Sequence, residues 1–191
     1  MLVDMRSTFL SGMMLGLSLA AVTPAALAAS HGAKATQQTG ASSVKVPQGM
    51  PAIDPNSPLY EVDVNKGVSI DDARQGLEMA AQDRNMNVVN KLDIQAGMKS
   101  RGLEAKDPYV IFEVCNLGLG AEIMKAAPEF GAFAPCKVIL FQHEGQLKLL
   151  TYRPTYALKY LKSVPPQTHQ VAARIESDIL YIMSKAKDGS F

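Results

Sequence analysis

The chain has no tryptophan, two cysteines and three histidines among its 191 residues. With no Trp and aromatics at 6%, stacking platforms for sugars or bases are disfavoured. Neither sign of charge is in excess: nineteen Lys and Arg face eighteen Asp and Glu, a net of +1. That leaves no surplus of cations for phosphate contacts and excludes a general nucleic-acid binder. C-x-x-C, H-E-x-x-H and C-x-x-C-H are all missing, which argues against zinc, thioredoxin-type and covalent haem readings. No G-x-S-x-G elbow is present, and after Gly118-Leu119-Gly120 the residues Ala121-Glu122-Ile123 supply neither a third glycine nor a lysine, so it reads as a strand-to-helix turn. Hydrophobic residues make up 47% of the chain, enough to pack one ordinary domain and to exclude wholesale disorder.

The N-terminus reads as an export signal. Arg6 provides a short basic region, an apolar stretch runs from Phe9 to Val22, and Ala26-Leu27-Ala28 supplies the small-residue cleavage pattern. The stretch falls short of the roughly twenty residues that span a bilayer. A peptide cleaved after Ala28 is therefore expected, with no membrane span afterwards and a periplasmic or secreted location. Cleavage removes four of the ten methionines, and no M-x-x-M cluster survives, which argues against a methionine-rich copper protein. Outside the cytosol two cysteines can pair and stay paired.

Residues 29–58 are rich in Ala, Ser, Gln, Thr, Gly and Pro, with Val44, Val46 and Ile53 as the only large aliphatics. This composition predicts a flexible leader. The remaining 59–191 carries sixteen basic and sixteen acidic side chains and reads as one domain. Tyr60–Val64 alternates in the manner of a half-buried strand. Ser69, with Asp72 three residues on, predicts a capped helix whose apolar stripe is Ile70, Ala73, Leu77 and Ala80. Strands are expected over 87–95 and 109–115, a polar connection over 97–106, and a short helix over 120–127. The strands 137–143 and 146–152 form a hairpin about Glu144-Gly145. A short helix follows Pro154, and Val171, Ile175, Ile179 and Ile182 mark an amphipathic C-terminal helix. The resulting β-α-β-β-α-β-β-α order predicts an α+β domain of two layers, with a mixed or antiparallel sheet and helices on one face.

The other sheet face then needs a role. Alternation assigns Asp63 on the first strand, Asp93 on the second and Glu113 on the third to it. It is expected to be a solvated surface, a dimer interface or a ligand-lined concavity using those carboxylates.

Cys115 and Cys136 are the only candidates for thiol chemistry. A disulfide between them would stabilise by roughly 3 kcal/mol through loop closure. If their strands ran parallel, the thiols would lie roughly 20 Å apart at 3.3 Å per residue, too far to bond. If antiparallel, the ends would be near. Disulfide, two inert thiols, and a metal or redox site thus stay open, with Met124 or His143 as the added ligand in a Cu(I) or haem variant. Glu113, on the same strand face as Cys115, would raise its thiol pKa and oppose a nucleophilic role.

The segment Val110-Ile111-Phe112-Glu113-Val114-Cys115-Asn116, the turn Ala127-Pro128-Glu129-Phe130-Gly131, and Pro135-Cys136-Lys137-Val138-Ile139-Leu140-Phe141 followed by Tyr152-Arg153-Pro154 resemble the family known as domain of unknown function 302. The resemblance spans about 60–161, with the leader and the C-terminal helix as additions. It implies a small α+β domain that self-associates as a dimer, with no established reaction. Many members carry an apolar residue after the proline where this chain has Cys136, which implies that the fold does not depend on that thiol. The function expected is an exported binding or accessory protein working as a homodimer, with a small ligand or an envelope protein as partner and no cofactor or catalytic residue assigned. The alternative is a periplasmic thiol-redox, metal- or haem-handling protein using Cys115 and Cys136.

Overall fold

The structure, a computed structural model, describes residues 43–190. The signal-like segment 1–28 and residues 29–42 of the expected leader lie outside the described residues.

Strands β1 (Leu59–Asp63), β2 (Asn87–Asp93), β3 (Tyr109–Cys115), β4 (Cys136–His143) and β5 (Gln146–Tyr152) form one sheet in the order β1-β5-β4-β3-β2. Every neighbouring pair is antiparallel. The β4–β5 hairpin turns on Glu144 and Gly145, both at positive φ (51° and 79°), the geometry a two-residue turn needs to match strand twist. Helices α1 (Ile70–Asp83), α2 (Ile94–Lys99), α3 (Leu117–Ala126), α4 (Pro154–Ala157) and α5 (Pro166–Asp188) complete the domain.

Local signals explain most of these boundaries. Ser69 and Asp72 close a capping box at the start of α1, which satisfies two otherwise orphaned backbone donors. Asn116 accepts from the Leu119 amide at 3.1 Å, so α3 begins at Leu117 and takes Gly118 and Gly120 into its body. Asp93 accepts from the Ala96 amide at 2.8 Å and starts α2, where a polar connection was expected. Proline opens α4 and α5, where its missing N–H costs nothing.

One sheet face is the core. Tyr60, Val62, Val64, Val110, Phe112, Val114, Val138, Leu140 and Leu149 are buried on it. The helical side adds Ala73, Leu77, Ala80 and Ala81 from α1, with Ile175, Ile179, Leu180, Ile182 and Met183 from α5. The two helices approach closely at Gly76, where a Cβ would stand 3.1 Å from the Lys185 carbonyl.

Two expectations need correction. The second half of the leader, 43–58, is laid onto the domain. Val44, Met50 and Ile53 pack against the core, the Lys45 amide donates to Ser177 Oγ at 2.8 Å, and Tyr60 donates from its hydroxyl to the Pro51 carbonyl at 2.6 Å. Composition missed this because the anchors are backbone carbonyls and isolated apolar residues meeting partners far along the chain. Second, the register of β2 shifts between Val88 and Asn90. A bulge of this kind moves later side chains to the opposite face. Asp93 consequently pairs beside Val110, on the core side of the sheet.

Candidate functional site

The sheet face away from the core is built row by row from strand register. Leu92 pairs with Ile111, Ile111 with Ile139, and Ile139 with Leu150, giving an apolar row across four strands. Beside it Tyr109 pairs with Phe141, their ring centroids 5.7 Å apart. Leu92 is 42% exposed and Tyr109 37%, while Ile111, Ile139, Phe141 and Leu150 are half-buried. No composition or periodicity rule reveals this row, because it exists only once four strands are aligned.

The charges flanking the row are satisfied within the face. Lys148 Nζ lies 2.8 Å from Glu61 and 2.9 Å from Asp63, and hydrogen bonding to those carboxylates raises its pKa. On the other flank Glu113 accepts from Asn90 at 3.2 Å and lies 3.8 Å from Lys137 Nζ. Of the three carboxylates assigned to this face, Asp63 and Glu113 are there and each is committed to a lysine. Asp93 is not: it caps α2 and meets Arg74 of α1 at 3.4 Å. A concavity lined by free carboxylates therefore does not form.

The cysteines are brought together. Because β3 and β4 are antiparallel and Val114 pairs with Cys136, Cys115 and Cys136 stand at the same end of the two strands. Both are free thiols in the structure. They line a void of about 20 Å³ with Met86, Met124, Ile123 and Phe130. Tyr152 reaches the same place, its hydroxyl donating to the Phe133 carbonyl and lying 3.1 Å from Cys136 Sγ. Burial pushes the Cys136 thiol up to about 11, partly offset by the Tyr152 hydrogen bond, and burial also raises Cys115. Both thiols are thus poor nucleophiles at neutral pH. His143 ends β4 as an exposed hairpin residue and His169 is exposed on α5. Among the described residues no group of three or more His, Cys, Asp or Glu gathers for a metal.

A third feature is a groove of about 680 Å³ lined by Lys45, Arg84, Arg174, Ser177, Asp178 and Tyr181. The Arg84 guanidinium lies 3.7 Å over the Tyr181 ring, and Asp178 lies 3.9 Å from both Arg84 and Arg174. Its Oδ2 is buried without a hydrogen-bond partner. Burial raises the Asp178 pKa, more than the two arginines lower it. The folded state therefore binds this proton more tightly than the unfolded chain, and the associated stability is lost as pH rises above the ordinary carboxylate value of 3.8. Asp178→Asn is expected to raise the melting temperature at neutral pH, with the gain vanishing below that value. A gain that is the same at both pH values would show that charge burial is not its source.

Comparison with known proteins places this arrangement. Residues 60–186 match the family described as "Domain of unknown function DUF302". The chain belongs to the DUF302 family. The match runs through α5, so the C-terminal helix, expected to be an addition to the 60–161 core, is part of the family domain and supplies much of its core. An uncharacterised protein of Aquifex aeolicus (strain VF5) is 29% identical over 133 residues, 69% of this chain and 85% of that protein. The crystal structure of an uncharacterised conserved DUF302 protein from Bacillus stearothermophilus superposes with a TM-score of 0.60 at 26% identity, covering 68% of this chain and 98% of that one. It shares the α+β architecture of a DUF302 domain. Among the described residues no helix is long and apolar enough to cross a membrane.

Proposed function

We propose that this DUF302 protein is an exported accessory binding protein that works as a homodimer through its open sheet face, after cleavage following Ala28. The observation that carries the reading is the row Leu92–Ile111–Ile139–Leu150, apolar in its middle and bordered by charges already paired. Such a face has no unpaired ion to desolvate when a second sheet covers it, so its burial is favourable. A two-fold axis would bring the same row of both copies together, two sheets packing about 10 Å apart as in a sandwich.

Its size sets the strength. Four strand spacings of about 4.8 Å by six residue steps of about 3.3 Å give roughly 400 Å² per copy. The total of roughly 800 Å² lies below the standard interface of about 1,200–2,000 Å². The dimer is accordingly weak and reversible, which suits a protein that exchanges partners.

Sedimentation velocity across a concentration series is expected to show a monomer–dimer equilibrium. Ile139→Lys, on the central strand, is expected to weaken association at least about tenfold by burying a charge, and Leu92→Lys at the exposed edge serves as a variant safe for folding. A wild-type chain that stays monomeric at high micromolar concentration, or variants that associate as well as it does, would overturn the reading.

A further inference from the structure

We propose that Cys115 and Cys136 form a binding site for one cuprous ion, with Met124 as a third, weaker ligand. The two thiols and two thioethers, from Met86 and Met124, surround a single void of about 20 Å³, close to the volume one atom-sized guest requires. The rest of its wall includes Val114, Ile123, Phe130 and Ile175, and the Asn116 side chain oxygen is occupied by the Leu119 amide. A water there would find few hydrogen-bond partners, whereas soft sulfur donors favour Cu(I) over harder ions. Two thiolates meet the needs of a low-coordinate cuprous ion. A tetrahedral zinc site needs four ligands, and the described residues supply no third His, Cys, Asp or Glu.

Binding must work against the burial that raises both thiols. The ion displaces two thiol protons to solvent, leaving the metal in the Cu(I) state and a bis-thiolate complex with net charge −1. The Tyr152 hydroxyl stands 3.1 Å from Cys136 Sγ, within reach of a thiolate formed there. Lys137, the residue after Cys136, carries a cation that favours the Cys136 thiolate and is itself paired with Glu113. Hydrogen bonds of this kind orient and stabilise metal-bound sulfur. Access is from the side of Cys115, which is half-buried, and Met124, which is 38% exposed. This site is independent of the dimer face, so either can fail alone.

The test is anaerobic titration of the reduced chain with Cu(I), in competition with the chromophoric chelator bathocuproine disulfonate. One ion per chain is expected to be retained, with protection of Cys115 from alkylation. Cys115→Ser and Cys136→Ala are each expected to abolish retention, with folding checked by circular dichroism. Met124→Leu should keep the stoichiometry but weaken binding about tenfold. Surrender of the ion as readily as a chain lacking both thiols would overturn the proposal. So would equal retention of Zn(II), or recovery of the exported chain with the two cysteines bonded to each other and inert to mild reductant.

Discussion

Replacing Glu176 with alanine is expected to destabilise the fold by about 3–5 kcal/mol, a large share of the roughly 5–15 kcal/mol that holds a domain together. Glu176 is 1% exposed and Arg153 8%, and their Nε–Oε1 contact is 2.9 Å. The Arg153 guanidinium also donates to the Asp54 carbonyl at 2.6 Å and the Ser57 carbonyl at 3.0 Å. The other Glu176 oxygen accepts from the Thr155 amide at 2.9 Å and from its hydroxyl. Removing the carboxylate leaves a guanidinium buried without its counter-charge, which is why truncating one partner costs more than the pair contributes. Arg153→Ala is expected to cost a similar amount and also to free the two carbonyls that hold 43–58 in place. Limited proteolysis should then cut within that segment. The double variant Arg153→Met with Glu176→Leu should recover most of the loss, because neither charge is left stranded. Urea unfolding measures all three. A cost below about 1 kcal/mol for Glu176→Ala would mean that water reaches the pair and screens it.

Phe112→Ala is expected to cost about 3–5 kcal/mol as well, by a different mechanism. Phe112 is 0% exposed on β3, paired with Val138 of β4 and Lys91 of β2, so its loss leaves a cavity that close-packed neighbours refill only in part. The informative comparison is its sequence neighbour. Ile111 is equally apolar but points to the open face, and Ile111→Ala should cost the monomer about 1 kcal/mol or less while weakening the dimer. Denaturation at low concentration and sedimentation at high concentration separate the two effects. Equal monomer destabilisation at both positions would show that the open face is already covered within a single chain.

Residue order alone determined most of the elements, α2 being the exception, and many of their ends. Tyr109–Cys115 and Gln146–Tyr152 follow from strand-type residues between turn signals, and the Ser69–Asp72 cap is a pattern of four adjacent residues. These depend on interactions within a few positions, which composition and periodicity record directly. The DUF302 resemblance and the α+β class rest on the same local evidence. Tertiary structure decided what depends on which distant residues meet. The bulge at Val88/Asn90 took Asp93 off the open face, since a single extra residue inverts every later side chain. Antiparallel pairing put Cys115 and Cys136 at the same end of their strands and settled a geometry that spacing left open. The apolar row on the open face arises from one residue on each of four strands. The docking of 43–58 depends on a cation about a hundred residues further along. Local sequence carries no record of such meetings, because they come from the free energy of the whole core rather than from any one stretch of chain.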